Sequence, residues 1–212
     1  MENLVNNIKD AIIEIENKIR MCKRCELWKF KKNYVPGEGN PNANIVFIGE
    51  APGSEEDKQG RPFVGSAGKY LTQVMEKFGI KREDVYITNV LKCRPPNNRD
   101  PTPTEIEACK PYLIEQLEVI KPSVIVCLGR FSASVVFSLF GLKFSSISKV
   151  RGEVFEVRRW NKNVKVIALY HPAAVLYRPQ LKEIFEKDFK KIVNLLNEEK
   201  RIKPTTLSDF IK

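Results

Sequence analysis

The chain has 212 residues and a net charge of +10 at pH 7, from 36 Lys and Arg residues against 26 Asp and Glu residues. This length suffices for one substantial domain, and no linker rich in Pro, Gly or Ser divides it. The basic balance favours a polyanion partner such as nucleic acid, with an anionic membrane surface as the competing interpretation. Basic residues are scattered along the chain, and no apolar stretch approaches the ~20 residues that span a bilayer. We therefore expect an intracellular, cytoplasmic protein without membrane attachment.

The predicted elements alternate between helices and short apolar strands. The first helix carries aliphatic residues at helical spacing, at Leu4, Ile8, Ile12, Ile15 and Ile19. Strands are predicted at 44–48, 84–90, 124–128, 154–157 and 164–169. Helices are predicted at 66–78, from after Thr104 with a capping box to Glu107, at 130–139 and at 179–199. Strands alternating with helices indicate a mostly parallel sheet covered on both faces, and ligands in such folds lie at the carboxyl ends of the strands.

Four cysteines occur in two pairs that are far apart in sequence, Cys22 with Cys25 and Cys93 with Cys109. Thiolates at such spacing are typical of a metal site, because two nearby sulfurs and a second pair from a distant loop can surround one centre. Zinc and an iron–sulfur cluster both suit these ligands. Disulfides are less favoured, since nothing at the N-terminus resembles a secretory signal. The fifth cysteine, Cys127, lies in an apolar run and is predicted to be a core thiol.

Three loops that follow predicted strands carry polar or glycine-rich sequence. The first runs from residue 49 to 68, the second contains Asn89, and the third contains His171, the only histidine. Each has an ordinary structural interpretation when taken alone: a surface loop, a turn cap and a packed turn residue. Their convergence on one edge of the sheet favours a functional site instead.

Together, these loops and the four cysteines resemble family 4 uracil-DNA glycosylase, the branch of the uracil-DNA glycosylase superfamily with a four-iron, four-sulfur cluster. The motifs lie at residues 49–53, 62–65, 88–90 and 171–173, in the family's order and interleaved with the cysteines. The resemblance runs from about Cys22 to Arg178. It implies an α/β fold, a three-layer α/β/α sandwich around a mostly parallel four-stranded sheet. It also implies that the cluster ligands are Cys22, Cys25, Cys93 and Cys109.

The resemblance implies a monofunctional DNA glycosylase of base excision repair. Such an enzyme rotates deoxyuridine out of single- or double-stranded DNA and hydrolyses the N-glycosidic bond, leaving an abasic site. Phe63 is expected to stack on the base, Asn89 to read its edge, and a neutral His171 to donate to uracil O2 as negative charge develops there. The remaining substrate contacts are expected from Glu50, Ala51, Gly53 and Ser54.

Water activation departs from the better-known branch, which carries an aspartate where this chain has Ala51 and a glutamine where it has Glu50. We expect Glu50 and Glu56 to orient the attacking water or to stabilise the cationic deoxyribose. The alternative is that Glu50 contributes only its backbone and that Glu56 is a solvated loop charge.

Contacts to DNA are expected on two segments. The wedge that fills the vacated stack is expected among Val175, Leu176, Tyr177 and Arg178. Phosphate contacts are expected from the basic loop that contains Lys92, Arg94 and Arg99. The cluster is expected to order this loop, with electron exchange as the alternative role.

The domain prediction is one glycosylase domain over residues 1–200 and a tail over residues 201–212. The tail is similar to the peptide that binds the sliding clamp, although Pro204 stands where that motif usually has glutamine; a frayed terminus is the alternative. We expect a monomer. The alternative function is a non-enzymatic iron–sulfur or zinc protein that binds nucleic acid.

Overall fold

A mixed six-stranded sheet forms the centre of the computed structural model, which describes residues 2–202 and the side chains of residues 7–197. Its strands are β1 (Glu38–Gly39), β2 (Ile45–Gly49), β3 (Tyr86–Asn89), β4 (Val124–Leu128), β5 (Val154–Arg159) and β6 (Lys162–Leu169). In the order β1-β3-β2-β4-β6-β5, the middle four strands are parallel and the two edge strands are antiparallel. The mostly parallel sheet is confirmed. The count of four strands was wrong, because it covers only the parallel strands, and the antiparallel edge strands β1 and β5 bring the sheet to six.

Helices cover both faces of the sheet. They are α1 (Glu2–Arg20), α2 (Ser54–Gln59), α3 (Ser66–Lys77), α4 (Pro103–Ile120), α5 (Arg130–Leu139), α6 (Ile147–Val150), α7 (Pro172–Tyr177) and α8 (Lys182–Ile202). One hydrophobic core contains residues of α1, α4 and α5, and a second contains residues of α3 and α8. A core on each face of one sheet gives the three layers that were expected.

The predicted apolar face of α1 is buried from Ile12 onward, and Ile8 is half-buried. Ile12, Ile15 and Ile19 are almost fully inaccessible, and α1 packs against α4. This packing brings the end of α1, just before Cys22, against the body of the fold. Over the described chain, none of the helices is both long enough and apolar enough to cross a membrane.

The capping box of α4 lies two residues earlier than predicted. Thr102 Oγ1 accepts a hydrogen bond from the Glu105 N–H, and Glu105 Oε2 accepts one from the Thr102 N–H. Pro103 starts the helix because its fixed φ and missing N–H suit the first helical position. Glu107 instead forms a surface ion pair with Lys110.

Candidate active site

A pocket of about 400 Å³ opens at the carboxyl edge of the parallel strands. Phe63, Asn89 and His171, each from a different predicted loop, all line it. Asn89 ends β3, His171 follows β6, and Phe63 lies between α2 and α3, after β2. Loops that are distant in sequence meet here because parallel strands end at the same edge. The predicted convergence of the three loops is confirmed.

Phe63 is held in an unusual backbone conformation at the wall of the pocket. Its φ is +50°, the left-handed region, which costs a bulky residue about 1 to 3 kcal/mol. The backbone N–H groups of Val64 and Gly65 donate to Glu56 Oε1 at 2.9 and 2.8 Å. Gly68 packs so closely that a Cβ there would overlap the Phe63 carbonyl. The surroundings therefore fix the direction of the ring.

Asn89 offers an unsatisfied acceptor beside that ring. The residue is 1% exposed, and its Oδ1 has no hydrogen-bond partner among the described residues. A Cβ at Gly49 would overlap both Asn89 Oδ1 and Phe63 Cζ, so glycine is required there. A buried acceptor without a partner costs about 1 to 3 kcal/mol. A ligand that donates a hydrogen bond to Oδ1 would recover this free energy.

His171 caps the N-terminus of α7 and approaches Phe63. Its Nδ1 accepts a hydrogen bond from the Ala173 N–H at 3.2 Å, and its ring centroid lies 5.7 Å from that of Phe63. Burial lowers the pKa of His171 to about 4, although the Glu56 carboxylate opposes this shift. The neutral imidazole is therefore the form present at pH 7, and its N–H is on Nε2.

Glu50 follows β2 and lines the same pocket as Ala51. Burial, together with the Asp100 carboxylate, raises the pKa of Glu50 to about 7, and Arg130 partly opposes this. The Glu50 carbonyl also accepts a hydrogen bond from the Leu91 N–H. Its carboxylate is thus close to half ionised at neutral pH, which suits a group that exchanges a proton.

Glu56 lines the pocket but is not a solvated loop charge. It lies in α2, a helix that the sequence did not predict, and is half-buried. Its Oε1 accepts the two loop N–H donors described above, and Oε2 lies beside Gly53. Ser54 lines an adjoining pocket that shares Glu56 with the first. Glu56 therefore anchors the loop that carries Phe63.

The four residues expected to contact DNA after His171 divide into buried and exposed side chains. Leu176 is 45% exposed and Tyr177 is 86% exposed, and both line the adjoining pocket. Arg178 is exposed as well. The prediction for Val175 was wrong, because this side chain is 3% exposed and packs in the core.

The prediction that Lys92 contacts phosphate was also wrong. Lys92 is 1% exposed, and its Nζ donates to Thr88 Oγ1, the Asn89 carbonyl and Gln116 Oε1 at 2.6 to 2.8 Å. Burial lowers the pKa of Lys92 to about 7, and the pairing of its donors offsets the cost of keeping this group inside. Arg94 is half-buried and donates to Asn98 Oδ1.

The predicted metal ligands Cys22, Cys25, Cys93 and Cys109 line one pocket. All four are free cysteines without a disulfide between them, and Cys127 is buried in the core as predicted. Burial raises the pKa of Cys109 to about 11, and the neighbouring Cys25 and Cys22 add to the shift while Lys92 opposes it. Over the described residues, no group of three or more His, Cys, Asp or Glu side chains is arranged to hold a single metal ion.

Hydrogen bonds to sulfur add to the case for thiolate ligands. The Lys92 N–H donates to Cys109 Sγ at 3.2 Å, and the Arg24 N–H donates to Cys22 Sγ at 3.5 Å. Such donors stabilise negative charge on sulfur and are typical around iron–sulfur centres. Four thiols that repel one another when ionised fit a positively charged centre between them.

Other residues at the site carry no sequence signal that would have identified them. Asn98 lines the pocket with φ at +55°, and the Asn-Asn pair at 97–98 is at most a turn signal. Arg82 donates to the carbonyls of Pro62 and Phe63 from a position 20 and 19 residues further along the chain. Only the fold brings such a side chain to the loop.

Comparisons with known proteins identify the family of this chain. The profile of the Uracil DNA glycosylase superfamily matches residues 36–197. The chain is 60% identical over 202 residues to a type-4 uracil-DNA glycosylase of Archaeoglobus fulgidus, covering 95% of this chain and 100% of the relative. It is 53% identical over 193 residues to one of Sulfurisphaera tokodaii, covering 91% and 88%. A Thermotoga maritima protein of the same name is 45% identical over 194 residues, covering 90% and 98%. The chain belongs to the uracil-DNA glycosylase superfamily.

Proposed function

We propose that this protein is a uracil-DNA glycosylase of DNA repair, a hydrolase that releases uracil from DNA and leaves an abasic site. One observation carries the proposal: Phe63, Asn89 and His171 line one pocket at the edge of the sheet. A base inside a duplex is out of reach of this pocket, so the deoxyuridine must rotate out at a cost of about a few kcal/mol.

Base selection is assigned to Asn89. The unpaired Oδ1 accepts from uracil N3–H while the amide nitrogen donates to uracil O4. Cytosine presents an amino donor and a bare N3 at these positions, so it leaves the amide mispaired. Phe63 holds any flat base by stacking, worth on the order of 1 to 3 kcal/mol, and does not select among bases.

Leaving-group stabilisation is assigned to His171. Cleavage of the glycosidic bond places negative charge on uracil, delocalised toward O2. Because Nδ1 already accepts from Ala173, the neutral ring donates through Nε2. A donor fixed at that oxygen acts chiefly in the transition state.

The activation of the attacking water is assigned to Glu50. Its pKa near 7 lets the ionised carboxylate orient a water molecule and accept a proton as the sugar cation is captured. Glu56 acts through the loop, since one of its carboxylate oxygens is engaged by two backbone N–H donors. Leu176 and Tyr177 are the exposed side chains suited to fill the vacated base stack, with Arg178 beside them.

A four-iron, four-sulfur cluster is assigned to Cys22, Cys25, Cys93 and Cys109. Their shared pocket and the two N–H donors to sulfur support thiolate ligation. When bound, the cluster ties the segment after α1 to the start of α4, and hydrolysis requires no electron from it. Zinc is the alternative, but it is a single ion, and no group of described side chains is arranged to hold one; the iron content of a purified, coloured preparation distinguishes the two.

The decisive experiment incubates the protein with an oligonucleotide that contains one uracil and then cleaves abasic sites with alkali. We expect cleavage at the uracil and none in matched oligonucleotides with thymine or cytosine. A protein with His171→Ala is the control against a contaminating glycosylase. Binding of the oligonucleotide without any excision would instead favour a non-enzymatic nucleic-acid-binding protein.

A sliding clamp is the proposed partner of the C-terminal tail. Residues 203–212 of the predicted tail lie outside the described residues, so this proposal rests on the sequence. Titrating a clamp with a synthetic tail peptide tests it, and a peptide with Leu207 and Phe210 replaced by alanine is the control. The monomeric state and the intracellular location stay predictions.

A further inference from the structure

Arg82 is joined to the backbone of the loop that carries Phe63. It begins the short 3-10 turn Arg82–Asp84. Its Nη2 donates to the Pro62 carbonyl at 2.5 Å, and its Nη1 donates to the Phe63 carbonyl at 3.2 Å. A guanidinium presents its donors in a rigid planar fork, so one side chain holds two successive carbonyls.

Further contacts hold the guanidinium itself. Nη1 also donates to Thr72 Oγ1 at 3.3 Å, while Nε and Nη2 donate to Glu38 Oε1 at 2.9 and 2.7 Å. The Arg82 and Glu38 side chains are 20% and 23% exposed. The arginine is therefore fixed in place by β1 and α3 and does not swing freely into solvent.

The loop is thus held from two sides. Arg82 engages the carbonyls of residues 62 and 63, and Glu56 engages the N–H groups of residues 64 and 65. Phe63 lies between the two groups with its left-handed φ. Such a conformation persists only where the surroundings enforce it.

We infer that Arg82 is a positioning residue that fixes the stacking ring of Phe63 for uracil excision. The inference rests on the proposed function and adds a residue to it. Without the guanidinium, the loop relaxes toward ordinary backbone angles and the ring leaves its place beside His171. The extruded base then occupies the productive pose less often.

Arg61 supplies a matched control. It also pairs with Glu38, with Nε donating to Oε2 at 2.7 Å and Nη2 to Oε1 at 3.2 Å. Its side chain is 56% exposed, and no hydrogen bond from it to the carbonyls of residues 62 and 63 occurs among the described contacts. Arg61→Gln therefore removes one Glu38 ion pair and leaves the loop held.

The test is a double-mutant cycle on single-turnover excision of uracil. Arg82→Gln and Arg61→Gln are each made in the wild-type protein and in the Phe63→Ala variant. We expect Arg82→Gln to slow the wild type about tenfold and the Phe63→Ala variant less than about twofold, because it acts through Phe63. Arg61→Gln should change the excision rate by no more than about twofold in either background.

Equal slowing by Arg82→Gln in both backgrounds would overturn the inference. A single Arg82→Gln variant whose rate stays within about twofold of the wild-type rate would overturn it as well. If Arg82→Gln fails to fold, Arg82→Lys keeps the charge beside Glu38 but cannot hold both carbonyls, and the same non-additivity with Phe63→Ala is expected. Absence of excision by the wild type would refute the proposed function instead.

Discussion

The Nδ1 atom of His171 accepts a hydrogen bond from the backbone N–H of Ala173, at 3.2 Å. This bond leaves the proton of the neutral ring on Nε2. It also links the orientation of the ring to the first turn of α7, which Pro172 begins. The donor is thereby set in advance, and little reorganisation remains for the moment when charge develops on the leaving base.

Removal of the His171 donor should slow uracil excision severely. We expect His171→Ala to reduce the single-turnover rate of uracil excision by about 100- to 1000-fold, as for loss of one fixed donor to a developing anion. Binding of uracil-free DNA should change little. Rapid-quench assays and fluorescence anisotropy measure the two quantities. A rate loss smaller than that of Glu50→Ala or Glu56→Ala would remove His171 from its assigned role.

Asn89→Asp tests base selection with almost no change in side-chain size. The ionised carboxylate accepts hydrogen bonds but cannot donate to uracil O4, so excision of uracil should fall by at least about 100-fold. Discrimination against cytosine should fall as well, because the cytosine amino group can donate to the carboxylate. Excision from matched uracil and cytosine oligonucleotides measures the ratio, and an unchanged ratio would assign selection elsewhere.

Glu50 predicts a pH dependence of excision. The raised pKa of about 7 means that the carboxylate loses its charge as pH falls, so the rate should drop below about pH 7. His171 stays neutral down to about pH 4 and adds no loss at higher pH. Rate profiles from pH 5 to 9 for the wild type and Glu50→Gln check this. A profile that is equally steep in Glu50→Gln would assign the titration to another group.

The raised pKa of Glu50 also predicts that folding stability falls as pH rises, whereas the excision rate increases. A carboxyl whose pKa is raised on folding binds more protons in the folded state between about pH 4.5 and 7, so stability falls as pH rises through this window. Glu50→Gln removes the carboxyl group and with it this loss of stability at higher pH. Thermal melting should therefore show a gain for Glu50→Gln at pH 8 and little gain at pH 4. Equal gains at both values would mean that burial of the charge is not the cause.

The exposed side chain of Leu176 is suited to fill the gap that the rotated nucleotide leaves. Leu176→Ala should slow excision from duplex DNA about tenfold or more and affect single-stranded DNA little, because only the duplex has a stack to refill. Ile13 is similarly exposed, at 43% against 45%, and lies on α1, so Ile13→Ala is the control. Equal slowing on both DNA forms would contradict the wedge role.

Much of the fold was predictable because apolar periodicity reports burial directly. The strand at Val124–Leu128 was predicted with its observed bounds, and the parallel sheet followed from strands alternating with helices. Helices α2 and α7 were missed, since each has six residues, too few to show a helical period. The edge strand β1 has two residues and leaves no pattern at all.

At the site, the sequence indicated which loops meet but not which side chains face outward. Val175 and Leu176 are adjacent and both apolar, yet one packs in the core and the other is exposed. Lys92 is a lysine in a basic loop and still lies inside, because three oxygen atoms accept hydrogen bonds from its Nζ. Packing in the folded core and partners such as Gln116, 24 residues along the chain from Lys92, decide such cases, and sequence spacing does not encode them.

Cys22→Ala tests the assigned cluster against a matched core thiol. Loss of one ligand should lower the iron content, the melting temperature and the affinity for uracil-free DNA together, because the cluster orders the loop near Arg94. Cys127→Ala also removes a thiol, but from β4, where a small cavity costs stability and no ligand. The Cys127→Ala protein should keep its iron and its affinity for DNA. Iron analysis, thermal melting and anisotropy report the three quantities. A colourless Cys22→Ala protein with unchanged melting would favour an electron-transfer role for the cluster, since the fold would then not depend on it.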